Sequence, residues 1–171
     1  MRNYLLFSCF ALVVTAGTAD AVSKPHVVSF GKLTAVKWFV GLDEKQVVEL
    51  RVRALYVDGR QKEFTLGMSH DVTDRLFVVR RAFRLNDTLP DEAASARKWR
   101  WERGGWLLVD RITGRVATIN LPEFDAYYSA ANWYRDYVAY CGVSDDGKKV
   151  YAMVMQLGRR KPILKLSLIH I

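Results

Sequence analysis

The stretch that decides the fold runs from Trp99 to Leu157 and reads WRWERGGWLLVDRITGRVATINLPEFDAYYSAANWYRDYVAYCGVSDDGKKVYAMVMQL. Trp106 to Arg111 is one strand, Ile112-Thr113-Gly114 a turn, and Arg115 to Leu121 the return. Trp133 to Ser144 reads as a strand, Asp145-Asp146-Gly147 as its turn, and Lys148 to Leu157 as its partner. Glycine after aspartate or threonine supplies the backbone that tight hairpin turns demand. Ahead of these hairpins Trp99 and Trp101 alternate with Arg100 and Glu102, and Arg103-Gly104-Gly105 predicts a turn. Between them Pro122 to Asn132 is an aromatic-rich connection.

The same period-two grammar extends outward. From Gln46 to Met68, Leu50, Val52, Ala54 and Tyr56 alternate with Glu49, Arg51 and Arg53. Asp58-Gly59 turns the chain, and Phe64, Leu66 and Met68 share one face of the return. Val27 to Phe30 and Thr34 to Val40 read as short strands, and Ser69 to Asp74 as a polar connection. Arg75 to Leu85 is a strand in which Phe77, Val79, Phe83 and Leu85 surround Arg81. If that face is buried, Arg81 requires a carboxylate partner or a place near an edge. One short helix is predicted near 90–97, with Thr88 as cap and Pro90 in its first turn. The fold class is therefore all-β, made of antiparallel twisted sheets of hairpins and meanders.

Two segments resemble parts of a known architecture. Trp106 to Val116 resembles the outer-strand turn of a β-propeller blade. Val143 to Tyr151, with its Ser144-Asp145-Asp146-Gly147 turn, resembles the inner-strand hairpin of exported propellers. The resemblance implies propeller-blade-like sheets. A closed propeller needs at least four blades of roughly 40 residues, which residues 22–165 cannot supply. An incomplete blade-like set is the expectation, with a small β-sandwich as the alternative.

The chain ends carry their own signals. Arg2 precedes an apolar run from Tyr4 to Thr15, and Ala19-Asp20-Ala21 fits a signal-peptidase site. The run falls short of the roughly 20 residues of a membrane span. Residues 1–21 thus read as a signal peptide, residues 22–165 as a single antiparallel β-domain exported to the periplasm or the extracellular space, with no transmembrane segment after cleavage. Leu166 to Ile171 resembles the in-frame translation of a transposon mosaic-end adapter, so 166–171 reads as a non-native tail.

The net charge of +8 suits nucleic acid, anionic surfaces or acidic glycans. Export makes nucleic acid an unlikely partner and leaves a protein or a glycan. Cys9 departs with the signal, so Cys141 cannot form an internal disulfide. Its strand pattern, with Tyr137, Ala139 and Val143, predicts a buried thiol.

No cofactor motif is present, and neither HExxH nor CxxC occurs. His70, Asp71 and Asp74 are the nearest approach to an acid–base cluster, with a capped polar turn as the alternative. The aromatic residues read as core or as surface. The most site-like segment is the Pro122–Trp133 loop, with Phe124, Asp125, Tyr127, Tyr128 and Trp133 as binding residues. A non-catalytic binding or interaction module is the leading reading. An envelope hydrolase using carboxylates and His70 is the alternative.

Overall fold

The computed structural model describes residues 24–40, 46–86 and 99–170. Among them every regular element is a strand: β1 Val28–Phe30, β2 Thr34–Val40, β3 Gln46–Val57, β4 Arg60–Asp71, β5 Leu76–Asn86, β6 Trp99–Asp110, β7 Val116–Ile119, β8 Ala131–Tyr134, β9 Tyr137–Val143, β10 Lys149–Gln156 and β11 Leu164–His170. All pairs are antiparallel. The helix expected near 90–97 and the segment read as a signal peptide lie outside the described residues. No helix among the described residues is long and apolar enough to cross a membrane.

A seven-stranded sheet has the order β1-β3-β4-β5-β6-β7, with β2 also on β3. A four-stranded meander has the order β11-β10-β9-β8. The β3–β4 turn is closed by Asp58 and Gly59, both at positive φ (52° and 73°), as a two-residue hairpin requires. The six residues read as a non-native tail fall largely in β11, along β10.

Two sequence expectations are corrected. Gly104-Gly105 does not turn the chain. β6 runs straight through it beside β5, because turning there would forfeit the ladder on either side. The extra residue is absorbed as an irregularity between Arg80 and Ala82, and a Cβ on Gly104 would stand 3.0 Å from the Arg81 Cβ. The strand expected from Trp133 to Ser144 is two strands, split at Arg135-Asp136 with Arg135 at φ 52°.

The large sheet is buried on both faces. On one, Trp38, Leu50, Val52, Leu66 and Ala82 form a core with Phe64, Trp101 and Tyr127 against it. On the other, Leu55, Phe77, Val79, Leu107 and Val109 pack with Val28 and Phe30. Alternation along each strand keeps the two apart. β2 reaches the first half of β6, where Trp38 Nε1 donates to Glu102 Oε2 at 3.3 Å. At the other end the His26 N–H donates to the Ile112 carbonyl at 3.0 Å. A third core joins the sheets: Leu121, Val138, Tyr140, Met153 and Met155 pack against Trp106 and Ile119 of the large sheet.

Candidate functional site

The connection from β7 to β8 touches both sheets. Its shape follows from Asp125, whose Oδ1 accepts from the N–H groups of Tyr127 (2.7 Å) and Tyr128 (3.2 Å). Aspartate does this readily because its short side chain reaches its own backbone two residues on. The Ser129 N–H closes the turn on the Asp125 carbonyl at 2.8 Å.

The small sheet holds the loop by its feet. Tyr140 donates its hydroxyl to the Pro122 carbonyl at 2.9 Å. Burial, and then the charge of Glu123, push that phenol up to about 12. Ser129 Oγ donates to the Cys141 carbonyl at 2.9 Å. The large sheet holds the loop through Arg80, whose Nη2 donates to the carbonyls of Ala126 (2.6 Å) and Ser129 (3.1 Å).

The five expected binding residues therefore separate. Phe124 stands edge-on to Tyr140 at 5.5 Å, and Tyr127 lies 4.9 Å from Trp38. Trp133 belongs to β8, not to the loop, and meets Trp106 at 5.4 Å. These three half-buried rings pack on cores, and Asp125 is engaged with backbone. Tyr128 alone projects, 70% exposed and 4.6 Å from Tyr127.

Beside the far end of this loop lies a shallow cavity of about 350 Å³ whose lining includes Arg51, Met68, Arg80, Arg103 and Ala131, and one carboxylate, Glu49, which lies 4.0 Å from Arg51. Arg80 and Arg103 sit on adjacent strands, close enough for their charges to interact. Burial first, and then Arg103, push the Arg80 guanidinium down to about 10. Among the described residues Arg80 bonds to carbonyl oxygens, the third being Gly104 at 3.3 Å. Arg103 lies 4.1 Å over the Trp38 ring. Among the described residues neither has a carboxylate partner. Sequence reasoning singled out Arg81 instead, and Arg81 is satisfied by Glu63 at 3.0 Å.

The expected acid–base cluster is dispersed. His70 Nε2 donates to the Arg135 carbonyl at 2.9 Å, and its ring stacks 6.4 Å from Trp133. Asp71 instead accepts from Arg111 at 2.6 Å. The histidine–carboxylate pair that does form, His26 Nδ1 with Asp58 Oδ2 at 2.5 Å, joins residues 32 apart and left no local signal in the sequence. Asp58 also accepts the Val27 N–H at 3.0 Å, so the pair fastens the start of β1 to the β3–β4 turn. The His26 bond is the main cause holding the Asp58 carboxyl below its usual range. No three His, Cys, Asp or Glu side chains among the described residues gather closely enough to hold a metal ion.

Cys141 is corrected as well. It is a free and exposed thiol. Val138 and Tyr140, with Gly142 between facing strands, turn inward instead. A Cβ on Gly142 would stand 2.8 Å from the Met153 sulfur and 3.1 Å from the Glu123 carbonyl oxygen, so a side chain there would require both to shift. Comparison with family models, with curated proteins and with solved structures returned no match.

Proposed function

We propose that the chain is an exported, non-catalytic β-protein that acts as a binding module through the 122–133 loop and the basic strands beside it, with an acidic glycan as ligand. The carrying observation is the adjacency of Arg80 and Arg103, neither bonded to a carboxylate among the described residues, in a concavity edged by that loop whose lining sets Arg51, Arg80 and Arg103 against the single carboxylate of Glu49. Two adjacent guanidiniums with no carboxylate bonded to either favour an anion between them. Tyr128 adds an exposed ring against which a sugar can stack.

The hydrolase reading rested on His70, whose ring nitrogen is engaged by a backbone carbonyl. The His26–Asp58 pair is the one observation that favours acid–base chemistry. His26→Gln separates the two, since a hydrolase built there loses its turnover and a binding module loses nothing at the loop.

The test is retention on immobilised polygalacturonate, with neutral dextran as control. Arg103→Gln and Tyr128→Ala should each elute at lower salt than wild type. Arg115→Gln, the same loss of charge on the exposed β6–β7 turn, should elute close to wild type. Equal retention of Arg103→Gln and Arg115→Gln would mean that net charge alone binds, and the reading fails.

A further inference from the structure

We infer that the cleft between the two sheets is a second binding site, for a small amphipathic anion that buries an apolar chain and leaves one anionic head at the rim. The cleft holds about 530 Å³, within the range of roughly 300–1,000 Å³ usual for small-molecule sites. Its walls come from both sheets, with Ile119 and Leu121 on one side and Trp133, Val138 and Met155 on the other. Val138 and Met155 are core residues, so the wall is fixed by packing and not by loop conformation.

The rim is charged on one side only. Leu157, Gly158, Arg159 and Arg160 follow β10 and line the cleft. The Arg159 N–H closes that turn on the Gln156 carbonyl at 3.1 Å. Both arginine side chains are exposed, and neither forms an ion pair with a described residue. Thr118 and Asn120 are neutral polar lining on the opposite lip, and among the described residues no acidic side chain lines the cleft. Asp136 accepts from the amide of Gln156, a lining residue, at 2.8 Å. An apolar chain is drawn into such a cleft by the area it removes from water. Two guanidiniums at the mouth select an anionic head over a neutral or cationic one. This inference stands on a different cavity from the acidic-glycan reading, so either can fail without the other.

The test uses the full chain and dodecanoate below its micelle-forming concentration, followed by titration calorimetry. One dodecanoate should bind per chain, saturably. Dodecanol should bind at least tenfold more weakly, and dodecyltrimethylammonium more weakly still. The double variant Arg159→Gln/Arg160→Gln should weaken dodecanoate about tenfold and leave dodecanol unchanged. Ala117→Phe, which fills the cleft from a lining position on β7, should abolish both while polygalacturonate retention persists. Vesicles of phosphatidylglycerol that capture wild type but not Ala117→Phe assign the head to a membrane lipid; dodecanoate binding without vesicle capture assigns it to a free carboxylate. The inference is overturned by equal affinity for the three head groups, by no saturable binding, or by affinities that the arginine pair does not change. A dimer that Ala117→Phe disrupts, with no dodecanoate bound, overturns it in favour of a second copy of the chain.

Discussion

Arg80 and Ser129 belong to different layers, yet Arg80 Nη2 donates to the Ser129 carbonyl at 3.1 Å while Ser129 Oγ donates to the Cys141 carbonyl at 2.9 Å. One residue pair thus fastens the large sheet to the loop and the loop to the small sheet. Arg80→Met removes every bond from the guanidinium and strands the carbonyls of Ala126 and Ser129. It should cost about 2–3 kcal/mol, read as a lower urea midpoint with an unchanged slope. Arg80→Lys should recover less than half, because one ammonium cannot span carbonyls on both sides. Full recovery by lysine would show that charge, not the fork of donors, holds the loop.

Asp110 gives the fold an acid-sensitive corner. Arg75 Nε lies 2.9 Å from both its oxygens, and Arg75 Nη2 also donates to it. The Ile112 and Thr113 N–H groups add bonds of 2.9 and 3.2 Å. Arg75 first, and then the turn, hold the Asp110 carboxyl well below the usual carboxylate range. A carboxyl depressed by folding contributes stability that is complete above its unfolded value and is lost as pH falls toward its folded one. Asp110→Asn should therefore be less stable than wild type at pH 7, and the gap should close progressively below about pH 5. Urea midpoints of both proteins across that range decide it; a constant gap would contradict the assignment.

Gly114 and Gly147 both lie at positive φ (63° and 69°), so alanine at either costs about 1–2 kcal/mol in backbone strain. Only at Gly114 would the new methyl meet atoms, Val57 Cγ1 at 2.6 Å and His26 Cβ at 3.0 Å. Gly114→Ala should lose stability beyond the strain, by a further 1–3 kcal/mol or so from overpacking. Thermal midpoints should fall in the order wild type, Gly147→Ala, Gly114→Ala.

Cys141 is exposed on the outer face of the small sheet. Iodoacetamide should label it in the native protein, without denaturant, as located by peptide mass mapping. Cys141→Ser should change stability by no more than about 0.5 kcal/mol. Labelling only after unfolding would place the thiol in the core.

How much of this was legible in the chain depends on whether the deciding residue is local. Asp58-Gly59, Ile112-Thr113-Gly114 and Asp145-Asp146-Gly147 announce turns because their glycines take backbone angles other residues avoid. Arg135 takes such an angle with no glycine beside it, so the β8–β9 hairpin went unread. Gly104-Gly105 serves a bulge as readily as a turn, and the choice is made by β5 alongside. The face of Cys141 was misread because Tyr137, Ala139 and Cys141 are as apolar as Val138 and Tyr140. Alternation cannot choose between two apolar faces. The loop was legible as a loop, but which of its rings project is set by the packing of the small sheet. Arg103 was invisible as a site residue, because its place beside Arg80 depends on the irregular β5–β6 register.

That two-faced large sheet has a consequence for register. In a sheet with one wet face, slipping a strand by one residue turns its core out into water, and the pattern polices itself. Phe77, Val78 and Val79 are consecutive and no more than 1% exposed, so a slip of β5 would merely trade one interior for the other. Hydrophobicity is nearly blind to that error. The alignment must be proofread by groups that tolerate only one partner: Arg81 on Glu63, Arg75 on Asp110, and the side-chain-free Gly104 against Arg81.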